Sequence, residues 1–171
     1  RRHRQAVEAL VAQGATVMYY EQGEYPPRRG MWLDAIDDQF GRWLDDPPVG
    51  GVRVSSSVTE AVDLSLLCEL PELRCVELYG TVFDDTHMAA LAKHQSVAAI
   101  DLYLPNLTDA GLMQLAGAAQ LRTLALDYTQ VTQEGLESLA DDCPELTIFC
   151  PEMDAQMHER MDARRWRLRA R

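Results

Sequence analysis

The feature that most constrains this chain is a 24-residue period in its apolar residues. A core built from unrelated elements has no reason to keep several sets of residues in step, whereas stacked copies of one unit must each bury the same face. The period therefore predicts a solenoid of similar units. Three sets follow it: Leu64, Met88, Leu112 and Leu136; Leu67, Leu91, Leu115 and Leu139; and Val54, Leu78, Leu102 and Leu126.

Each copy of the repeat combines a strand pattern with a helix pattern. Val97, Ile100 and Leu102 are spaced as in a short strand whose alternate residues face a core. Thr108, like Thr132 one period later, stands where a side chain can cap a helix N terminus. Residues 49–150 are therefore predicted to hold about five units, the end ones degraded. The copies start at Val49, Leu73, Val97, Leu121 and, one residue late and with Phe149 in its strand, at Leu146.

The two ends of the chain lack the period and predict caps. In residues 1–48, the first helical pattern is followed by Gly14, a strand pattern over 15–20 and a second helical pattern over 31–44, which together indicate an α-β-α N-terminal cap. The first helical pattern consists of Ala6, Val7, Leu10 and Val11. Residues 151–171 predict a C-terminal capping helix followed by a basic tail. The alternative for this tail is an amphipathic segment that contacts anionic lipid or an acidic partner.

The motif L-x-x-L-x-L-x-x-T-x-V-T-x-x-G-L-x-x-L, best kept in residues 97–140, resembles the leucine-rich repeat. It is closest to the short bacterial repeats related to the cysteine-containing and ribonuclease-inhibitor types. The resemblance implies an α/β solenoid, with short parallel strands on the concave side and helices on the convex side. Where that family usually has Asn or Cys, this chain has Ser57, Thr81, Pro105 and Thr129. Pro105 has no side-chain hydrogen bond to offer, so its loop must be held in another way.

Charge narrows the class of partner. The chain has a net charge of -11, and residues 30–150 hold twenty acidic residues against five basic ones. Such a body repels phosphate backbones, so we expect no nucleic-acid partner and favour a basic protein or peptide. No apolar run is long enough to span a membrane. The chain begins with Arg1 rather than Met. Its N-terminal block, RRHRQAVEAL-x-x-x-G followed by an extended Tyr-rich stretch and then Trp-Leu, is similar to the leader of some bacterial repeat proteins, in which the leader follows a membrane-spanning helix. Residues upstream of Arg1 and the basic tail are therefore the candidates for membrane contact.

The candidate site lies on the strands. Residues between the core positions point to the concave face by the two-residue alternation of a strand. Tyrosines flanked by carboxylates form the amphipathic, hydrogen-bonding surface that is enriched at protein interfaces. The alternative is that any such strand carries polar residues on its exposed side. The predicted partner-binding residues are Arg53, Glu77, Tyr79, Asp101, Tyr103, Asp127 and Tyr128.

Other chemistry-bearing residues have structural interpretations. Asp84, Asp85 and His87 lie where the period places a helix start, at which carboxylates favour the helix dipole, so we expect no metal site there or at His94. Cys75 and Cys150 would lie on strands roughly 14 Å apart, too far for a disulfide. We expect Cys68, Cys75, Cys143 and Cys150 to be buried free thiols. No catalytic motif and no cofactor-binding motif appears.

These observations predict a non-enzymatic scaffold for protein–protein interaction, with the partner on the concave strand face. The alternative is a soluble domain of a membrane-anchored bacterial protein of another role. An enzyme would need a cleft with strongly perturbed titratable groups, which a shallow arc rarely provides.

Overall fold

Six strands of the described chain form one sheet whose spatial order follows the sequence. The computed structural model describes residues 2–19, 49–58, 60 and 62–150. β1 runs antiparallel to β2, and every later pair is parallel, so the fold is α/β with a mostly parallel sheet. The strands are β1 Ala15–Tyr19, β2 Val49–Val54, β3 Cys75–Tyr79, β4 Ala99–Tyr103, β5 Thr123–Asp127 and β6 Thr147–Phe149.

Helices connect the parallel strands and begin where the sequence places caps. α2 starts after Asp84, α3 after Thr108 and α4 after Thr132, and each of these side chains accepts a hydrogen bond from a backbone N–H of the first turn. The predicted caps are therefore confirmed. The helices are α1 Arg2–Ala12, α2 Asp85–Ala92, α3 Asp109–Gln114 and α4 Gln133–Asp142, with 3-10 helices at Leu64–Glu69 and Leu115–Gly117.

The hydrogen-bond register of the parallel strands equals the sequence period. Leu78 pairs with Leu102 and Leu102 with Leu126, and all three side chains are fully buried. The residues that face them from the connecting helices, such as Met88 and Leu112, are buried as well. The prediction that the three periodic sets form one core is confirmed, because every member of each set lies in it.

The predicted register of the last strand, which put Phe149 at the position equivalent to Leu124, is wrong by one residue. Ile148, not Phe149, pairs with Leu124 and is buried. The Thr147 amide donates to the Arg122 carbonyl at 2.9 Å, which sets the strand in step with β5. The one-residue delay at Leu146 is made up after the turn, where one residue rather than two precedes the strand, so the ladder keeps its 24-residue step.

The N-terminal helix and strand join the same core. Ala6 and Leu10 are buried, and Gly14 has a φ of +90° after the helix. Of the four apolar residues at helical spacing, Ala6 and Leu10 are buried as that pattern predicts, whereas Val11 is 54% exposed because the face that packs is set by the pair four residues apart. The predicted helix over 31–44, the end of the strand at residue 20, and the predicted C-terminal cap over 151–171 lie outside the described residues.

Aspartates connect each helix start to the next one. The Asp85 carboxylate accepts hydrogen bonds from Thr108 N at 2.8 Å and Thr108 Oγ1 at 2.6 Å. Asp109 accepts the same pair from Thr132, at 2.7 and 2.6 Å. Each carboxylate therefore stabilises the start of its own helix through the dipole and holds the cap of the following helix.

These carboxylates explain the glycine of the repeat motif. A Cβ on Gly135 would collide with the side chain of Asp109, and one on Gly111 would lie 2.7 Å from both Asp85 Cα and Leu107 Cδ1. The helix backbone can approach the preceding unit only where no Cβ intervenes.

Replacing Gly135 with alanine is therefore expected to cost about 1–3 kcal/mol in the parent chain through overpacking. In an Asp109→Gly background no side chain is left at position 109 to obstruct the new Cβ, and the same change should stabilise by about 0.5–1 kcal/mol, the ordinary helix preference for alanine over glycine. Urea unfolding of the four proteins measures both values. A cost of the same sign and size in both backgrounds would contradict the assigned contact.

Amide side chains hold the loops after the strands. Gln130 Nε2 donates to the Pro105 carbonyl at 2.6 Å, and Asn106 Nδ2 donates to the Thr81 carbonyl at 2.8 Å. The loop at Pro105, which has no side-chain hydrogen bond of its own, is therefore held through its backbone carbonyl by the following unit.

Candidate functional site on the strand face

The predicted site residues lie together on the sheet face opposite the helices. Those on strands alternate with the buried core residues, and Tyr128 follows the end of β5. The register sets Arg53 beside Glu77, Glu77 beside Asp101, and Tyr103 between Tyr79 and Asp127. Sequence alternation alone was sufficient to predict this clustering. We call this surface the strand face and define it by Arg53, Glu77, Tyr79, Asp101, Tyr103, Asp127 and Tyr128.

Three tyrosine rings form a row across the ends of β3, β4 and β5. The Tyr79 and Tyr103 rings are stacked, with centroids 6.2 Å apart and planes at 28°. Tyr103 and Tyr128 are closer, at 4.5 Å and 36°. The row offers a continuous aromatic surface whose hydroxyl groups can also form hydrogen bonds.

Tyr128 adopts an unusual backbone conformation. It has a φ of +49° and a residue exposure of 53%. Gly80 occupies the same position two periods earlier and also has a positive φ. A bulky residue in this region is disfavoured, and such strain is found most often at functional sites. The strand end therefore presents a tyrosine where glycine would fit with less strain.

A buried ion pair stands beside the tyrosine row. Arg53 Nε donates to Glu77 Oε2 at 2.7 Å, and the Tyr79 hydroxyl donates to the same oxygen at 3.3 Å. The Glu77 side chain is only 2% exposed, whereas that of Arg53 is 30% exposed. Glu77 is therefore not accessible at the surface, and the more accessible carboxylates of this face are those of Asp101 and Asp127.

Burial and carboxylates shift two titratable groups on this face. Burial, followed by the charges of Asp101 and Glu77, raises the pKa of Tyr79. Burial, Glu77 and Asp101 raise the pKa of the Cys75 thiol from 9.0 to about 12, against the opposing effect of Arg53. Sequence reasoning missed Cys75 as a member of this face, although it lies two residues before Glu77 and therefore has the same orientation.

The raised pKa of the Cys75 thiol predicts how the stability of the fold changes at alkaline pH. The pKa of Cys75 is higher in the folded chain than in the unfolded one. The contribution of its protonated thiol to the free energy of unfolding is therefore complete below about pH 9 and is lost as the pH rises toward 12. We expect the free energy of unfolding to decline over that range, and to decline less steeply in a Cys75→Ala variant. Parallel slopes for the two proteins in urea titrations at pH 8 to 11 would contradict the assignment.

The remaining cysteines correct one expectation. None of the four forms a disulfide, as predicted. Cys75 alone is buried, Cys143 and Cys150 are half-buried, and Cys68 is exposed. Cys68 belongs to the short 3-10 helix, whose buried side chains are Leu64 and Leu67, so its own side chain points outward.

The candidate metal residues are structural. Asp84 caps α2, and its box with His87 satisfies two backbone N–H groups. Hydrogen bonds from Thr86 and His87 lower the pKa of Asp84. His94 is buried, with Nε2 2.8 Å from the Leu67 carbonyl. Within the part of the chain that the structure describes, no group of three or more His, Cys, Asp or Glu side chains could hold a metal ion.

Similarity to known proteins adds no assignment. Among the described residues no helix combines the length and the apolar character needed to cross a membrane. No protein-family model matches this chain, and no curated protein is significantly similar to it in sequence.

Proposed function

We propose that this chain is a leucine-rich-repeat scaffold without catalytic activity that binds a protein or peptide on the strand face. The strands stack in register with a step of 24 residues, a helix start follows each strand from β3 to β5, and aspartates repeat at the same spacing. Residues 1–48 would then cover the first unit, in keeping with the burial of Ala6 and Leu10.

The observation that carries the proposal is the row of Tyr79, Tyr103 and Tyr128 beside Asp101 and Asp127. Neighbouring rings supply rigid contact area at low entropic cost, and aromatic side chains dominate binding energies at interfaces. Carboxylates at their border select a basic partner and repel nucleic acid.

The direct test selects basic and neutral peptides from a displayed random library on the full chain and measures their affinities for variants. Tyr103→Ala should weaken binding by about 1–2 kcal/mol or more, that is roughly tenfold, with little change in thermal stability. Tyr128→Gly removes a ring at a position where glycine relieves backbone strain, and its thermal unfolding curve separates a loss of binding from a loss of stability. Tyr19→Ala is the matched control, because this tyrosine is 39% exposed and lies in the edge strand β1, which β2 and β3 separate from the strand of Tyr103.

Charge is tested separately from contact. Replacing Asp101 and Asp127 with asparagine should slow association and flatten its dependence on salt, because these carboxylates steer a basic partner. If selected ligands bind the Tyr103→Ala variant as tightly as the parent, and changes on the helical side abolish binding, the assigned face is wrong.

A further inference from the structure

We propose that the arginine-rich segment of residues 160–171 docks on the strand face of its own chain and competes there with the partner; this rests on the proposed function, because it names an occupant for the same site. The segment contains six arginines and Trp166 against a single acid, Asp162. The strand face contains three carboxylates against one guanidinium, that of Arg53. The two surfaces are therefore complementary in charge.

The place where the chain leaves the sheet supports this occupant. Tyr79, Tyr103 and Asp127 are the last residues of β3, β4 and β5, and the parallel β6 ends at Phe149 on the same edge. Phe149 pairs with Ala125, two residues before Asp127. The residues that follow thus start about one strand spacing, roughly 4.8 Å, from β5 and about two from β4.

Residues 151–159 could span the distance from β6 to the strand face whether extended or helical. Nine residues, 151–159, separate the described chain from the segment. Fully extended they reach roughly 30 Å, and as a helix about 13 Å. Both lengths exceed the roughly 10 Å between β6 and the Tyr103 strand.

The chemistry of the two partners also matches. A guanidinium group stacks on a tyrosine ring and binds a carboxylate through two parallel hydrogen bonds. Both receptors occur together on the strand face, at Tyr103 and Tyr128 beside Asp101 and Asp127. Residues 20–48 are a poorer occupant, because they contain seven acidic residues against three arginines.

A second acidic surface provides the discriminating control. Helix α4 and the turn after it carry exposed carboxylates at Glu134, Asp141, Asp142 and Glu145, but residues 133–145 contain no aromatic ring. A purely electrostatic attraction would use this surface as readily as the strand face. Docking that depends on stacking would not.

The experiment titrates a fluorescein-labelled peptide of residues 160–171 into full-length chains and follows anisotropy. One chain is the parent; the other has the six arginines of its own segment replaced by glutamine, or only Arg167, Arg169 and Arg171 if the full set does not fold. A tethered segment competes at an effective concentration of about 1 mM, so with an intrinsic Kd of about 0.1 mM or lower the neutralised chain should bind the peptide at least about tenfold more tightly. In that chain, Tyr103→Ala and the Asp101→Asn, Asp127→Asn pair should each weaken binding about tenfold, while Asp141→Asn with Asp142→Asn changes it less than about twofold.

Equal affinity of the peptide for parent and neutralised chains would overturn the proposal, as would an equal loss from the α4 pair. A further arm adds phosphatidylserine vesicles: if the parent chain binds them through its arginines without any change in peptide affinity, the segment serves lipid instead. A library-selected ligand that needs Tyr103 but ignores the arginine replacements would leave the proposed function standing and remove only this inference. If instead the affinity of a selected ligand does not depend on Tyr103 while that of the peptide does, docking of the segment would stand and the partner would bind elsewhere than on the strand face.

Discussion

Replacement of Leu102 by alanine is expected to lower the free energy of unfolding by about 2–5 kcal/mol. Leu102 is 0% exposed and lies in β4 between Leu78 and Leu126, so the change removes buried apolar surface and leaves a cavity that packed neighbours on both sides cannot fill. Urea unfolding followed by circular dichroism measures the loss.

Val11→Ala is the matched control, because this apolar residue is 54% exposed. Its replacement should change the free energy of unfolding by no more than about 0.5 kcal/mol. A loss of that size at Leu102 as well would contradict its position in the core, since no rearrangement of one strand could recover the burial of a leucine in the middle of the sheet.

The period predicted the parallel pairing because each strand must bury the same apolar positions against the next. Leu78, Leu102 and Leu126 are therefore readable from sequence, and so are the helix starts at Thr108 and Thr132, where a local hydrogen bond decides the conformation. The frame of β6 was not readable, because the sequence contains an apolar residue at both 148 and 149. The pairing of β6 with β5, which is distant in sequence and includes the hydrogen bond from Thr147 to Arg122, selects between them.

The candidate site likewise has some features that the sequence predicts and others that depend on packing between distant residues. Alternation along a strand was enough to place Tyr79, Tyr103 and Asp101 on one face. It could not show that Glu77 is buried beneath its neighbours, or that Tyr128 turns back onto Tyr103 through a positive φ, because both depend on how side chains from different units pack. Exposure, unlike orientation, is a property of the assembled sheet.

The ion pair of Arg53 and Glu77 leads to an asymmetric prediction. Arg53→Met should cost about 3 kcal/mol, because it leaves a buried carboxylate with the Tyr79 hydroxyl but without its cation. Glu77→Met should cost less, about 1 kcal/mol, because the guanidinium is 30% exposed and can turn toward water. The two residues are thus unequal although they share one bond.

The double variant separates the energy of the pair from the penalty of an unpaired charge. With both residues replaced by methionine no buried charge is left, and the two side chains can pack side by side on adjacent strands, so the double variant should be more stable than Arg53→Met alone. Urea unfolding of the four proteins yields the coupling energy. Additive losses, or a larger cost at Glu77 than at Arg53, would mean that the Glu77 carboxylate is already compensated by other groups. In that case the loss of Arg53 would not leave an uncompensated charge on Glu77, and the proposed preference for a basic partner would rest on Asp101 and Asp127 alone.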